Sequence, residues 1–430
     1  MNSPTETGPG QPSFASALAF WHLLGWLSFG GPAGQIALMH RELVERRRWV
    51  DEASFLHGLN YCMLLPGPEA MQLATLLGWR LHGLRGGLAA GALFVLPGAL
   101  LLGLLAWLYL RFGQVPVVAG ALFGIQAAVL AIVLHALLKI ARKVLHGPLA
   151  VLLAVAAFVA LFALRLPFPL VIASAALLGA WLLRAQAYTP AASASMASTL
   201  DAVEPAGRRQ LRHSLLLALA LLAAWWLPLF GLRMALGADS TAWAMGLFFS
   251  KAALVTLGGA YAVLPYVAQQ AVEVQQWLRP EQMLVGLGLA ESTPGPLILV
   301  LEFVGFVGGW QRPDLVSPLA SALLGAAVTV WATFLPSFLF ILPAAPWIER
   351  LRKLRWLDAA LRGITAAVVG AIASLALWFG WQLLSEATSM QGAAILGIAL
   401  AAALAMRRGV GVAWVVAVAA IVGSALQPLL

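Results

Sequence analysis

Long uncharged apolar runs, separated by short basic clusters, dominate the chain. A helix that crosses a bilayer needs about 20 mostly apolar residues. Windows at 86–110, 112–138, 214–232, 315–348, 363–385, 387–406 and 409–430 meet that need. Those at 149–164 and 166–183 are slightly shorter, and Arg165 with two nearby prolines marks a hairpin turn between them. Two other apolar runs behave differently. The run 14–29 ends on Gly30-Gly31-Pro32, and 55–65 ends on Pro66-Gly67-Pro68. Each is too short to cross, and glycine and proline interrupt a helix. Irregular backbone at membrane depth persists only where protein or a watery cavity satisfies it. These segments are therefore expected to be re-entrant helix pairs or broken helices.

The broken pattern occurs twice. Gly30-Gly31 matches Gly258-Gly259, Trp49 matches Trp277, and Pro66-Gly67-Pro68 matches Pro294-Gly295-Pro296, always at an offset of 228 without a gap. Between positions 30 and 68 there are 11 identities in 39 positions, where chance in so biased a composition gives roughly three. Beyond, at an offset of 239, Pro97 matches Pro336 and Gly124-Ile125 matches Gly363-Ile364. The pattern predicts an internal duplication.

Charge placement orients the copies. Arg41, Arg46, Arg47 and Arg48 in the first are replaced by Gln269, Val274, Gln275 and Gln276 in the second. Lys139, Arg142 and Lys143 end the first copy, whereas Ser385-Glu386 ends the second. Arg111 is nearly alone, yet its counterpart region carries Arg350, Arg352, Lys353 and Arg355. Basic residues stay cytoplasmic, so exchanged basic ends predict inverted repeats. Three spans between the copies, an odd number, agree with inversion.

The expected fold is an all-α polytopic membrane protein: two inverted-topology repeats with broken or re-entrant helices, and about nine full crossings. The expected divisions are a polar tail (1–13), a first repeat (14–146), a transmembrane hairpin (147–184), a cytoplasmic linker (185–212), a connecting span (213–240), a second repeat (241–386) and C-terminal spans (387–430). The N-terminus falls in the cytoplasm and the C-terminus outside. The tail lacks the basic and apolar regions of a cleaved signal.

Composition narrows the chemistry. The 430 residues are 62% hydrophobic and only 10% charged, against about half and a quarter in soluble domains. The net charge of +9 belongs to loops between spans, so it does not indicate nucleic acid. Cys62 is the sole cysteine, which excludes internal disulfides. Histidines show no ligand spacing, and no nucleotide or hydrolase fingerprint is present. No metal or cofactor is expected.

Helix breaks leave unpaired N–H groups, and a helix N-terminus carries about half a positive charge. Helices beginning after Pro32, Pro68 and Pro296 would turn those groups toward an anion. The candidate substrate-binding residues are Gly30, Gly31, Pro32, Pro66, Gly67, Pro68, Gly258, Gly259, Ser292, Thr293, Pro294, Gly295 and Pro296. Lys251, the one lysine within an apolar run, either faces the anion pathway or snorkels to the interface. Glu69 and Glu291 are candidates for proton coupling, although a first-turn acid can simply stabilise the helix dipole. Ser292 and Thr293 either ligate an oxyanion or cap a helix. Arg80, His82 and Arg85 read as a cytoplasmic anchor, and Trp49 and Trp277 as interfacial belt residues.

Phe29-Gly30-Gly31-Pro32, Arg48-Trp49-Val50, Pro66-Gly67-Pro68 with Gln72, the run from Gly258-Gly259 to Leu264-Pro265, and Ala290-Glu291-Ser292-Thr293-Pro294-Gly295-Pro296 resemble the chromate ion transporter family. The resemblance spans roughly 14–381 and is to its long, two-domain type. It implies export of chromate from the bacterial cytoplasm, driven by proton motive force. Ala260 stands where the first copy has Pro32, so the halves are not equivalent. Sulfate or another inorganic anion is the alternative substrate, since sulfate shares chromate's charge and shape. An intramembrane enzyme using Glu69 or Glu291 is the alternative of another class. Either a monomer or a homodimer could function.

Overall fold

A computed structural model describes residues 12–29, 31–182, 208–257, 259–346, 355–385 and 387–429. Gly30, Gly258, most of the expected tail (1–11), most of the expected linker (185–207) and the basic stretch 347–354 lie outside the described residues. Within them the chain forms sixteen α-helices and no strand, the expected all-α class.

The first copy opens with α1 (Phe14–Leu27), capped by Ser13, whose side chain accepts from the Ser16 amide. After the break come α2 (Gly31–His40) and a π-turn, Arg41–Arg46. Next, α3 (Glu52–Cys62) is capped by Asp51, and α4 (Glu69–Phe112) bends where Gly83 takes φ 61° and ψ −151°. Helix α5 (Pro116–Val144) then crosses, followed by the short hairpin α6 (Pro148–Phe162) and α7 (Phe168–Leu182). Helix α8 (Arg208–Leu236) leads into the second copy.

The second copy repeats the local geometry at the offset of 228. Helices α9 (Thr241–Val255) and α10 (Ala260–Ala268) are followed by a second π-turn, Gln269–Val274. Arg48 and Gln276 share the same left-handed φ of 52° after their π-turns. Helix α11 (Pro280–Ser292) then leads through a 3-10 turn, Leu297–Leu299, into α12 (Val300–Gln311). Here the copies diverge. The first passes a bend inside α4, whereas the second has a loop before α13 (Pro318–Ile341), which accounts for the change of offset. Helices α14 (Arg355–Ser385), α15 (Ser389–Arg407) and α16 (Val412–Leu426) complete the chain.

The broken segments double back. The Arg47 guanidinium lies 4.9 Å from the rings of both Phe20 and Trp49, so the return limb after α2 ends beside the first half of α1. Arg80 donates to the Ser54 carbonyl at 3.1 Å, closing the start of α3 against α4 just before its bend. In the second copy Trp277 packs on Phe248 and Phe249, and Gln311 donates to Gln282 at 2.9 Å. These closed ends are those of re-entrant pairs. They also correct one expectation, because Trp277 is buried within its hairpin and is no belt residue.

Between copies, Gly87 packs on Leu342 and Gly91 on Phe338, so the matching helices α4 and α13 run antiparallel. At α5, Gly120 and Gly124 meet Gly423 and Ala419 of α16. At α14, Gly363 meets Gly179 and Ala175 of α7 in the same manner. Small residues at such crossings let membrane helices pack closely. The helix pairs α6–α7 and α15–α16 thus occupy equivalent places, each against the last long helix of the copy it does not follow.

Six described helices are long and apolar enough to cross a membrane: the segments 69–112, 116–144, 209–236, 318–341, 359–385 and 389–407. Helices α6, α7 and α16, each of 15 residues, are apolar but shorter.

Candidate functional site

Helices α1, α3, α9 and α11 each end in a break, and the breaks are joined in pairs across the copies. Each first break is closed by a hydroxyl turned back on its own helix. Ser28 donates to the Leu24 carbonyl and Thr256 to the Ala252 carbonyl, both at 2.6 Å. The breaks then exchange hydrogen bonds between copies. The Gly67 amide donates to the Thr256 carbonyl at 2.8 Å, and the Gly295 amide to the Ser28 carbonyl at 2.9 Å. Gly67 (φ 122°) and Gly295 (φ 101°) hold a backbone that L side chains rarely adopt. Each Pro-Gly-Pro is thereby clamped to the opposite Gly-Gly break.

Two glutamines consolidate the crossing. Gln35 donates to the Ser28 carbonyl at 3.1 Å and to the Gly295 carbonyl at 2.6 Å. Gln72 donates to the Pro66 carbonyl at 2.7 Å and to the Ser337 hydroxyl at 3.5 Å. Both side chains are fully buried, and their Oε1 atoms have no protein partner among the described residues. Unsatisfied buried acceptors are uncommon, because each carries a desolvation cost of about 1–3 kcal/mol.

The helix starts follow the expectation with two shifts. Helix α4 begins at Glu69, directly after Pro68, while α2 begins at Gly31, one residue before Pro32. After Pro296 the 3-10 turn intervenes before α12. Gly259 (φ 97°) caps α10. First-turn N–H groups lack intrahelical acceptors, so these starts collect donors around the crossing.

Three carboxylates lie nearby. Glu69 is next to Gly259 of the opposite copy, its oxygens 3.8 and 3.9 Å from where a Cβ would stand. Glu291 is buried and accepts a hydrogen bond from the Tyr261 hydroxyl. Glu302 is buried on α12 beside Gly103 of α4, and its Oε2 has no protein partner among the described residues.

Other candidates sit differently. Ser292 and Thr293 lie at the C-terminal end of α11, donating to the Leu289 carbonyl at 2.9 Å and the Ala290 carbonyl at 3.1 Å. Both hydroxyls are thus engaged on their own helix end, in the manner of a cap. Lys251 is exposed, while its neighbours Ser250, Ala252 and Ala253 are buried. Gly30 and Gly258 fall outside the described residues. His82 contacts the Pro12 carbonyl at 2.9 Å, tying the α4 bend to the start of α1 as an anchor would. Gln35 and Ser337 were missed in the sequence. The available signal was an isolated polar residue beside a break or an in-helix proline.

The family model described as "Chromate transporter" matches residues 15–180 and again 243–424. The chain belongs to the chromate transporter family. It is 32% identical to the chromate transport protein of Pseudomonas aeruginosa, covering 99% of this chain and 96% of that one. It is 29% identical to the chromate transport protein of Cupriavidus metallidurans, covering 95% and 92%. No solved structure matches it. Membership and helical architecture make the chain a membrane transporter.

Proposed function

We propose that this chromate transporter family member is a secondary transporter exporting a tetrahedral oxyanion, chromate foremost, from the cytoplasm across the bacterial inner membrane. The observation that carries this reading is the reciprocal clamp, Gly67 to Thr256 and Gly295 to Ser28. Two structurally equivalent half-sites, joined through backbone and running in opposite directions, suit one midplane site approached alternately from either side. Helix starts supply donors to the anion there. The unpartnered Gln35 and Gln72 oxygens accept from a hydroxyl of the protonated ion or from its water.

Glu69 and Glu291 flank the crossing as proton carriers, and Tyr261 orients the Glu291 carboxylate. A carboxylate that takes a proton from outside and releases it inside, in alternation with the outbound anion, lets the proton gradient as well as the potential drive export. An inside-negative potential favours outward movement of anions by about 2.3 kcal/mol per charge per 100 mV. In this orientation the N-terminus is cytoplasmic and the C-terminus periplasmic.

The test is chromate flux in reconstituted vesicles, with and without an imposed pH gradient, and with sulfate as competitor. Flux that responds to the gradient is expected. Flux that ignores both the gradient and the potential would remove the secondary-transport reading. Full inhibition by equimolar sulfate would broaden the substrate class.

A further inference from the structure

A second concentration of positive charge lies away from the crossing. His135, Lys139, Arg142 and Lys143 recur at helical spacing on the last turns of α5, and with Leu138 and Arg407 of α15 they line a cleft of about 450 Å³. Basic residues at helix C-termini are common, since they complement the dipole and obey the positive-inside rule. Ordinary anchors of that kind spread into water or lipid headgroups. Here α5 of the first copy and α15 of the C-terminal spans turn theirs into one concavity whose lining, among the described residues, contains no acid. None of these side chains forms an ion pair among the described residues. Crowded like charges repel, and an anion seated among them relieves that repulsion.

The surroundings suggest what kind of anion. Leu134, Leu138 and Leu404 are 48%, 42% and 47% exposed beside the cleft, an apolar margin on the same helices. Lys143 also lies within electrostatic reach of Glu69 at the crossing. The volume exceeds that of several waters, each taking about 30 Å³, and so admits a tetrahedral oxyanion with part of its hydration.

We propose that this cleft, formed by α5 and α15, is a second binding site for a tetrahedral oxyanion group, carried by a phospholipid phosphate or by a free inorganic oxyanion. Its cytoplasmic placement rests on the orientation proposed above. The clustered cations hold the phosphate or sulfate oxygens, while Leu138 and its neighbours accommodate acyl chains when the group belongs to a lipid. A free ion bound there would be concentrated within reach of the crossing.

The experiment uses the full chain in phosphatidylcholine nanodiscs. One arm titrates inorganic sulfate. The other incorporates spin-labelled phosphatidylglycerol with no free oxyanion. Wild type is compared with the triple variant Lys139→Gln, Arg142→Gln, Arg407→Gln and with the charge-keeping triple Lys139→Arg, Arg142→Lys, Arg407→Lys. The glutamine variant is expected to lose about tenfold or more in affinity in one arm, and the charge-keeping variant to retain it. Loss in the sulfate arm identifies the free ion, and loss in the lipid arm identifies the headgroup. Unchanged binding in both arms, or equal loss in both variants, overturns the proposal. A Gly67→Leu control separates the two sites. Cleft binding that survives in it while transport is lost supports both readings. Transport unaffected by Gly67→Leu, with cleft binding still dependent on Lys139, Arg142 and Arg407, defeats the central site alone.

Discussion

At Gly67 a Cβ atom would stand 2.7 Å from Gln72 Nε2 and 2.8 Å from the Ser337 hydroxyl, on a backbone with φ 122°. Gly295 has φ 101°, and its Cβ would stand 2.9 Å from Leu299. Strained backbone costs about 1–3 kcal/mol per residue, and a leucine at either place must also fill the crossing. Gly67→Leu and Gly295→Leu are each expected to reduce chromate flux at least tenfold while membrane insertion persists, as checked by vesicle flux and by yield from membranes. Undiminished flux in both would remove the crossing from the pathway. The carboxylates have a separate test. Glu291→Gln keeps the shape and the Tyr261 contact but cannot cycle a proton. Its flux is expected to lose dependence on an imposed pH gradient, with downhill chromate movement retained. A full response to the gradient would exclude Glu291 from coupling.

At the scale of elements, the close helix crossings should be symmetric in energy as well as geometry. Gly124 faces the Ala419 carbonyl on α16, and Gly363 faces the Ala175 carbonyl on α7. Overpacking by a side chain costs about 1–3 kcal/mol, and here the obstruction is backbone. Gly124→Leu and Gly363→Leu should each lower thermal stability by a similar amount, read as the midpoint of aggregation in detergent. If only one responds, the two hairpins do not have equivalent roles. The bend of α4 is a third such point, because Gly83, at φ 61° and ψ −151°, occupies a region open essentially to glycine. Gly83→Val is expected to destabilise by a comparable margin in the same assay.

For the whole molecule, the opposed directions of the copies make a prediction about sides of the membrane. Arg47→Cys and Gln275→Cys, each in a Cys62→Ala background, should be labelled from opposite faces by an impermeant thiol reagent. Cys62 is fully buried, which makes alanine the smaller disturbance there. Labelling of both from one face would sink the inverted arrangement.

The amino-acid sequence by itself determined the class, the repeat and the position of the breaks. Twenty-residue apolar windows, paired Gly-Gly and Pro-Gly-Pro motifs and exchanged basic ends are local properties, legible without contacts. Only the tertiary structure decided how the breaks relate. That Gly67 bonds to the opposite copy, that Trp277 is interior, and that Ser292 and Thr293 spend their protons on their own helix all depend on which segments meet in space. The equivalence of the pair α6–α7 with the pair α15–α16 was hidden for the same reason. A sequence records where a helix must stop, because proline and glycine act on their own backbone. Which acceptor the freed N–H then finds depends on segments far away in the chain, and folding alone brings them together.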